Sequence, residues 1–191
     1  MDQQIKRIYT LLTKKNWLNN TIIIVVGDHG EGFGQHNDID GGWIHGNSLF
    51  PEQIKVPVLF YQPRLFKPRM ITQSTSSIDM LPTLLSAMKV PYDSNFFQGE
   101  SLFQPSLSRK YIFFYNDGQD EIGAIDKNNH EMQISFSHGK CRIYNLNHDS
   151  QEKIPLPCLD KNQETAIIQF RNYQYSMLNW YNAALLKKMA R

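Results

Sequence analysis

The stretch Thr21-Ile22-Ile23-Ile24-Val25-Val26-Gly27-Asp28-His29-Gly30 decides how the rest of the chain reads. Its β-branched residues run unbroken from Ile22 to Val26 and leave no polar face, so the run reads as a strand covered on both sides. Strands of that kind belong to parallel sheets with helices on either face, which makes the chain α/β. The run ends in Gly27-Asp28-His29, and open α/β sheets place their ligands beyond the carboxyl ends of such strands. Asp28 and His29 are therefore the first candidate site residues.

Working outward, Ile5, Ile8, Leu11, Leu12 and Trp17 recur at helical spacing upstream, and Asn19-Asn20 ends that helix. Downstream, residues 27–48 are polar and Gly-rich, too long for a simple turn, and loops of that length are often functional. Residues 56–61 form a second strand closed by Pro63. Residues 77–88 read as a helix with Ser77 as its cap, Asp79 at its positive end and Pro82 near its start. After Pro105 the character changes. Four short runs, 110–115, 121–126, 131–136 and 140–146, are separated by turn residues at Asn116-Asp117-Gly118, 127–129 and His138-Gly139, the pattern of an antiparallel meander. A long helical pattern over 163–188 has Ile167, Phe170, Leu178, Tyr181 and Leu185 as expected buried positions over that sheet. Its Tyr and Trp content also fits a membrane surface, the less common outcome. The expected architecture is thus part of a mostly parallel sheet flanked by helices over residues 1–105, carrying the polar loop. Residues 106–191 are expected to form a small four-stranded antiparallel sheet with a terminal helix.

Composition narrows the function classes. The 191 residues are 41% hydrophobic and 20% charged, an ordinary folded composition. Lys and Arg number 20 against 18 Asp and Glu, a net charge of +2. That is too little excess to track a nucleic-acid backbone, so no nucleic-acid partner is expected. No apolar run approaches the ~20 residues needed to cross a bilayer, and the polar start shows no signal-peptide core. The two cysteines, Cys141 and Cys158, make neither a disulfide framework nor a zinc pattern.

The polar loop concentrates His29, His36 and His45, three of the chain's six histidines. A carboxylate beside an imidazole offers one hard oxygen and one borderline nitrogen, a pair that suits Zn²⁺ or Mn²⁺ better than Ca²⁺. Gly30 and Gly32 let the backbone lie close to a bound group. Each feature also has a plain reading: Asp28 as a turn residue, His36 as a solvated one, His45 as a structural histidine beside Trp43. No nucleotide-binding glycine motif is present.

The same residues resemble a known family. Residues 21–31, ending Gly27-Asp28-His29-Gly30-Glu31, then His45-Gly46 and Ile54-Lys55-Val56-Pro57-Val58-Leu59, are similar to the carboxy-terminal half of the sulfatase-like hydrolases. These belong to the alkaline phosphatase superfamily, with arylsulfatases, phosphoethanolamine transferases and lipoteichoic acid synthases. The similarity continues through Ser77-Ile78-Asp79-Met80-Leu81-Pro82-Thr83 and Phe97-Gln98-Gly99-Glu100-Ser101-Leu102. It ends at 142–152, which resembles a Tyr-Asp-Leu and Asp-Pro-x-Glu segment, with Asn145 and Ser150 as departures.

The resemblance implies that Asp28 and His29 are adjacent ligands of a divalent metal. Many true sulfatases have Asp-Asn there with Ca²⁺; His29 points to the phosphotransferase-like branch with Zn²⁺ or Mn²⁺. It places His45 where the transferred anion or its leaving oxygen sits, so His45 is the expected catalytic and substrate-binding residue. Glu31 and His36 are candidates to orient the ligands. The family's nucleophile lies in its amino-terminal half, and neither Cys141 nor Cys158 sits in a formylglycine signature. The expected function is therefore the carboxy-terminal portion of a metal-dependent hydrolase or transferase of sulfate or phosphate esters. Alone it should be inactive, with the missing amino-terminal half of the fold as its partner. The alternative is a non-catalytic sulfatase-like binding or regulatory module. The resemblance also implies an extracytoplasmic location, with any membrane contact made through a segment not in this chain.

Overall fold

The computed structural model describes residues 2–36, 45–116, 118, 120–136, 139–158 and 161–189. Trp43, Asp117, His138 and the side chains of Leu178, Tyr181 and Leu185 lie outside the described residues. The helices are α1 (Asp2–Lys14), α2 (Pro51–Ile54, a single turn), α3 (Met80–Ala87) and α4 (Lys161–Met189). The strands are β1 (Ile23–Val26), β2 (Val58–Tyr61), β3 (Tyr111–Asn116), β4 (Glu121–Asp126), β5 (His130–Ser135) and β6 (Lys140–Asn145). Two units divide the chain: residues 1–28 with 56–108, and residues 29–55 with 109–191. The sequence reading keeps the polar loop with the first stretch, whereas residues 29–55 belong to the second unit.

In the first unit β1 and β2 pair antiparallel, Ile23 opposite Tyr61 and Val26 opposite Val58. This corrects the expected parallel arrangement. Nor is the strand covered on both sides as expected: residues 23–25 are half-buried and Val26 is exposed. Its β-branched content favours a strand without supplying the layers over it, and direction is set by how the chain returns. Here the chain re-enters beside the end it left, and the Gly27 N–H donates to the Pro57 carbonyl at 3.3 Å. Polar groups do much of the local fixing. The Gln62 amide Nε2 donates to the carbonyls of Leu18, Asn19 and Thr21 at 3.1–3.2 Å. Asp79 is fully buried, accepting from the backbone N–H groups of Ser76 and Glu100, each at 2.9 Å. Ser76, not the expected Ser77, is thus the residue that starts this helix. Among the described residues of this unit no large hydrophobic side chain is buried, and Val26, Val58 and Leu59 are exposed.

The second unit holds the hydrophobic core. The expected meander is present as the sheet β3-β4-β5-β6, every neighbouring pair antiparallel. Ile122, Ala124, Met132 and Ile134 point from one face toward α4, where Ile167 is fully buried and Phe170 stacks on Phe113 at 4.0 Å. Each such side chain contributes ~1.5–3 kcal/mol when taken from water, which is what holds α4 to the sheet. Cys141 on β6 forms a disulfide with Cys158, just ahead of α4. The sheet's opposite face carries Glu131, Gln133 and Ser135, all buried. Leu49 and Phe50 are buried too, and the Leu49 carbonyl lies 3.4 Å from Gln133 Nε2. A sheet buried on both faces leaves β4 and β5 with almost no accessible residue.

Candidate active site

The site begins where β1 ends. Gly27 closes the strand pair, and Asp28 and His29 follow as consecutive exposed residues, Asp28 in the first unit and His29 in the second. The chain then turns through Gly30, whose N–H donates to the Gln53 carbonyl at 2.9 Å. An added Cβ there would strike the Glu52 carbonyl, so only glycine permits this approach. That contact fixes the loop's first arm against α2.

The second arm brings His45 onto His29. Their rings stack with centroids 4.1 Å apart and planes 23° from parallel. His29 Nδ1 lies 2.7 Å from the Gly30 carbonyl, an acceptor, so Nδ1 carries the hydrogen and Nε2 the lone pair a metal takes. His45 Nδ1 donates to Glu31 Oε2 at 2.9 Å, with about half of the imidazole exposed. A carboxylate behind an imidazole fixes its tautomer and the orientation of its ring. Two of the loop's three histidines therefore share one place, and Glu31 orients one of them.

His36 does something else. Expected to be solvated or to support the ligands, it is buried, its ring stacked on Phe50 at 3.8 Å. Its Nδ1 meets Glu52 Oε1 at 2.6 Å and its Nε2 donates to the Gln151 carbonyl at 2.8 Å. Both ring nitrogens face acceptors, so the His36–Glu52 contact holds a proton between them. His36 thereby joins the loop to the 149–152 turn. Sequence gave no warning, because the partners lie 16 and 115 residues away.

Below the loop the buried Glu131 and Glu152 carboxyls both stand above their ordinary range, Glu131 at about 7 and Glu152 at about 10. Burial is the main cause for each, and for Glu152 the neighbouring Glu131 charge adds to it. Burial also raises the Tyr144 phenol to about 12. Among the described residues no group of three His, Cys, Asp or Glu side chains converges as a metal cage.

Residues 1–90 match the family model described as Sulfatase. Over 69 residues the chain is 33% identical to a low-salt glycan biosynthesis sulfotransferase of Haloferax volcanii, covering 36% of this chain and 17% of that protein. Over 105 residues it is 30% identical to an N-acetylglucosamine-6-O-sulfatase of Bacteroides thetaiotaomicron, covering 53% and 17%. Among solved structures, a protein in complex with its substrate, D-glucosamine-2-N,6-O-disulfate, superposes with a TM-score of 0.66 at 20% identity. That likeness covers 92% of this chain and 38% of the other, so the fold is shared over nearly all of the present sequence. The α/β fold with its antiparallel sheet and closing helix is thus that of the sulfatase class. Over residues 1–90 the chain is sulfatase-like in sequence, and the fold it shares with the solved structure extends over nearly all of it. It spans well under half the length of the relatives it matches.

Proposed function

We propose that the chain forms part of a metal-dependent hydrolase of sulfate esters and supplies one side of its active site. The observation that carries this is the stacking of His29 and His45 directly after β1, inside the stretch that matches the family. Asp28 and Nε2 of His29 would hold a divalent ion, with Zn²⁺ or Mn²⁺ favoured over Ca²⁺ by the nitrogen donor. When bound, that ion neutralises charge on the transferred group and activates a nucleophile. His45 binds the anionic group or gives a proton to the departing alkoxide through Nε2, with the Glu31 carboxylate orienting the ring. The sulfated glucosamines acted on or bound by two of the similar proteins make a sugar sulfate the favoured class. A phosphate ester is the second reading, favoured by the Asp28-His29 pair where many sulfatases have Asp-Asn.

The rest of such a site comes from the remainder of the fold, and the first unit's lack of buried hydrophobic side chains supports a partner surface there. The Cys141–Cys158 disulfide supports an oxidising, extracytoplasmic setting. Calorimetric titration tests the reading. The 191-residue chain should bind Zn²⁺ or Mn²⁺ weakly, since zinc sites ordinarily have three or four protein ligands. Asp28→Ala and His29→Ala should each abolish that binding, and it should fade as pH falls through the histidine range. Unchanged affinity in both variants would remove the metal assignment. We expect no turnover of p-nitrophenyl sulfate by this chain alone. Turnover abolished by Asp28→Ala would show that it needs no other part.

A further inference from the structure

Beneath the loop that carries His29 and His45, two carboxylic acids sit almost wholly out of water. Glu131 on β5 is 0% exposed and Glu152, in the turn after β6, is 1% exposed. The Gln133 amide stands between them. Its Nε2 donates to Glu131 Oε1 at 2.8 Å and to Glu152 Oε2 at 2.9 Å, and lies 3.4 Å from the Leu49 carbonyl. One NH₂ group has two hydrogens, so it serves one oxygen of each acid. The remaining oxygens, Glu131 Oε2 and Glu152 Oε1, are buried and have no hydrogen-bond partner among the described residues. Since both acids bond the same nitrogen, their carboxyl groups are immediate neighbours.

The surrounding charges do not resolve this. Lys55, beyond α2, attracts both acids but is itself exposed, and Glu52 on α2 repels Glu152. On β6, Arg142 bonds Glu121 at 3.3 Å and lies over the Phe50 ring, while Tyr144 is itself buried. His36 is engaged with Glu52 and Gln151. Two bare carboxylates in such a place repel and lack hydration, whereas one added proton turns them into a donor and an acceptor. Glu152 also holds a left-handed backbone, φ 54°, unusual for a glutamate.

We propose that Glu131 and Glu152 share one proton, and that this pair, with Gln133, is the latch that positions the His29–His45 loop. Its importance for catalysis rests on the reading of His29 and His45 given above. Through Gln133 the latch meets the Leu49 carbonyl, four residues past His45. Through the 149–152 turn it meets His36, which is bonded to the Gln151 carbonyl and closes the arm that began at His29. Glu131, Glu152 and Gln133 are positioning residues, since none touches the exposed rings. Burial holds both carboxyls above their ordinary range, so the shared proton persists at neutral pH and leaves in alkali as a joint event of the pair.

Infrared spectroscopy of the 191-residue chain at pH 8 should show the C=O stretch of a protonated carboxylic acid. That band should be lost in Glu152→Gln, which removes the acid that keeps the proton, and should vanish at lower pH in Glu131→Gln, which removes the neighbouring charge that helps to hold it. In nuclear magnetic resonance, the ring signals of His29 and His45 should move together in the wild-type chain as pH rises through the loss of the band. In Glu152→Gln that alkaline movement should disappear, and in Glu131→Gln it should follow the band to lower pH, while far-ultraviolet circular dichroism stays unchanged in both. Absence of the carboxylic acid band at pH 8 would overturn the shared proton. Loss of the band with no movement of the histidine signals would overturn the latch. Neither readout uses metal or substrate, so failure of the metal assignment would appear only in the calorimetry.

Discussion

His36 shows how much one side chain can decide at the scale of the residue. It stacks on Phe50, shares a proton with Glu52 and reaches the Gln151 carbonyl, three contacts made from the buried side of the loop. His36→Ala would leave the Glu52 carboxylate and a carbonyl without their donor in a place water reaches poorly. The expected loss is about 3 kcal/mol of unfolding free energy by urea titration. His36→Gln keeps one donor but not the ring, and should recover only part of it. A loss near zero for His36→Ala would mean that water replaces both bonds and that the histidine does not tie the loop down.

At the scale of the element, the second unit is held by α4 on one face of the meander and by a covalent tie at the sheet's edge. The Cys141–Cys158 bond joins residues 17 apart, and the Leu156 N–H donates to the Ile143 carbonyl at 2.8 Å inside the same loop. Closing a loop of that length removes unfolded-chain entropy worth about 3 kcal/mol. Reduction, or Cys141→Ser with Cys158→Ser, should lower the denaturation midpoint of the second unit by that amount and leave the meander itself in place. Retention of the wild-type midpoint after reduction, with free thiols confirmed by titration, would show that the packing of Ile167 and Phe170 already fixes this end of α4.

For the whole molecule, the direction of pH dependence follows from the buried acids. Glu131 and Glu152 have carboxyls raised above the ordinary 4.5, to about 7 and about 10, so the folded chain binds more protons than the unfolded chain in between. Their contribution is complete below pH 4.5 and is lost as pH rises through about 7 and on to about 10. Unfolding free energy measured over that interval should therefore fall with pH, and the fall should be shallower in Glu152→Gln. A steady rise across the same interval in the wild-type chain would contradict the assignment.

The sequence alone determined the meander, the long closing helix, the strand leading into Asp28-His29 and the family. These depend on local order: period-two alternation, turn residues at short intervals, and a contiguous motif. Neither strand direction nor coverage was legible, because β-branched content favours a strand and is blind to where a long connection returns the chain and to what is laid over it. In Glu131-Met132-Gln133-Ile134-Ser135 the alternation places Met132 and Ile134 on one face, toward α4. The polar residues of the same strand are not wet, because residues 48–50 cover that face and bury Glu131 and Gln133. Whether a polar residue is wet depends on what the distant chain lays over it, and no periodicity carries that information. The same holds for the Cys141–Cys158 bond, the stack of His29 on His45 and the burial of His36. Each joins residues far apart in the chain, so each exists only once the loop is folded back onto the sheet.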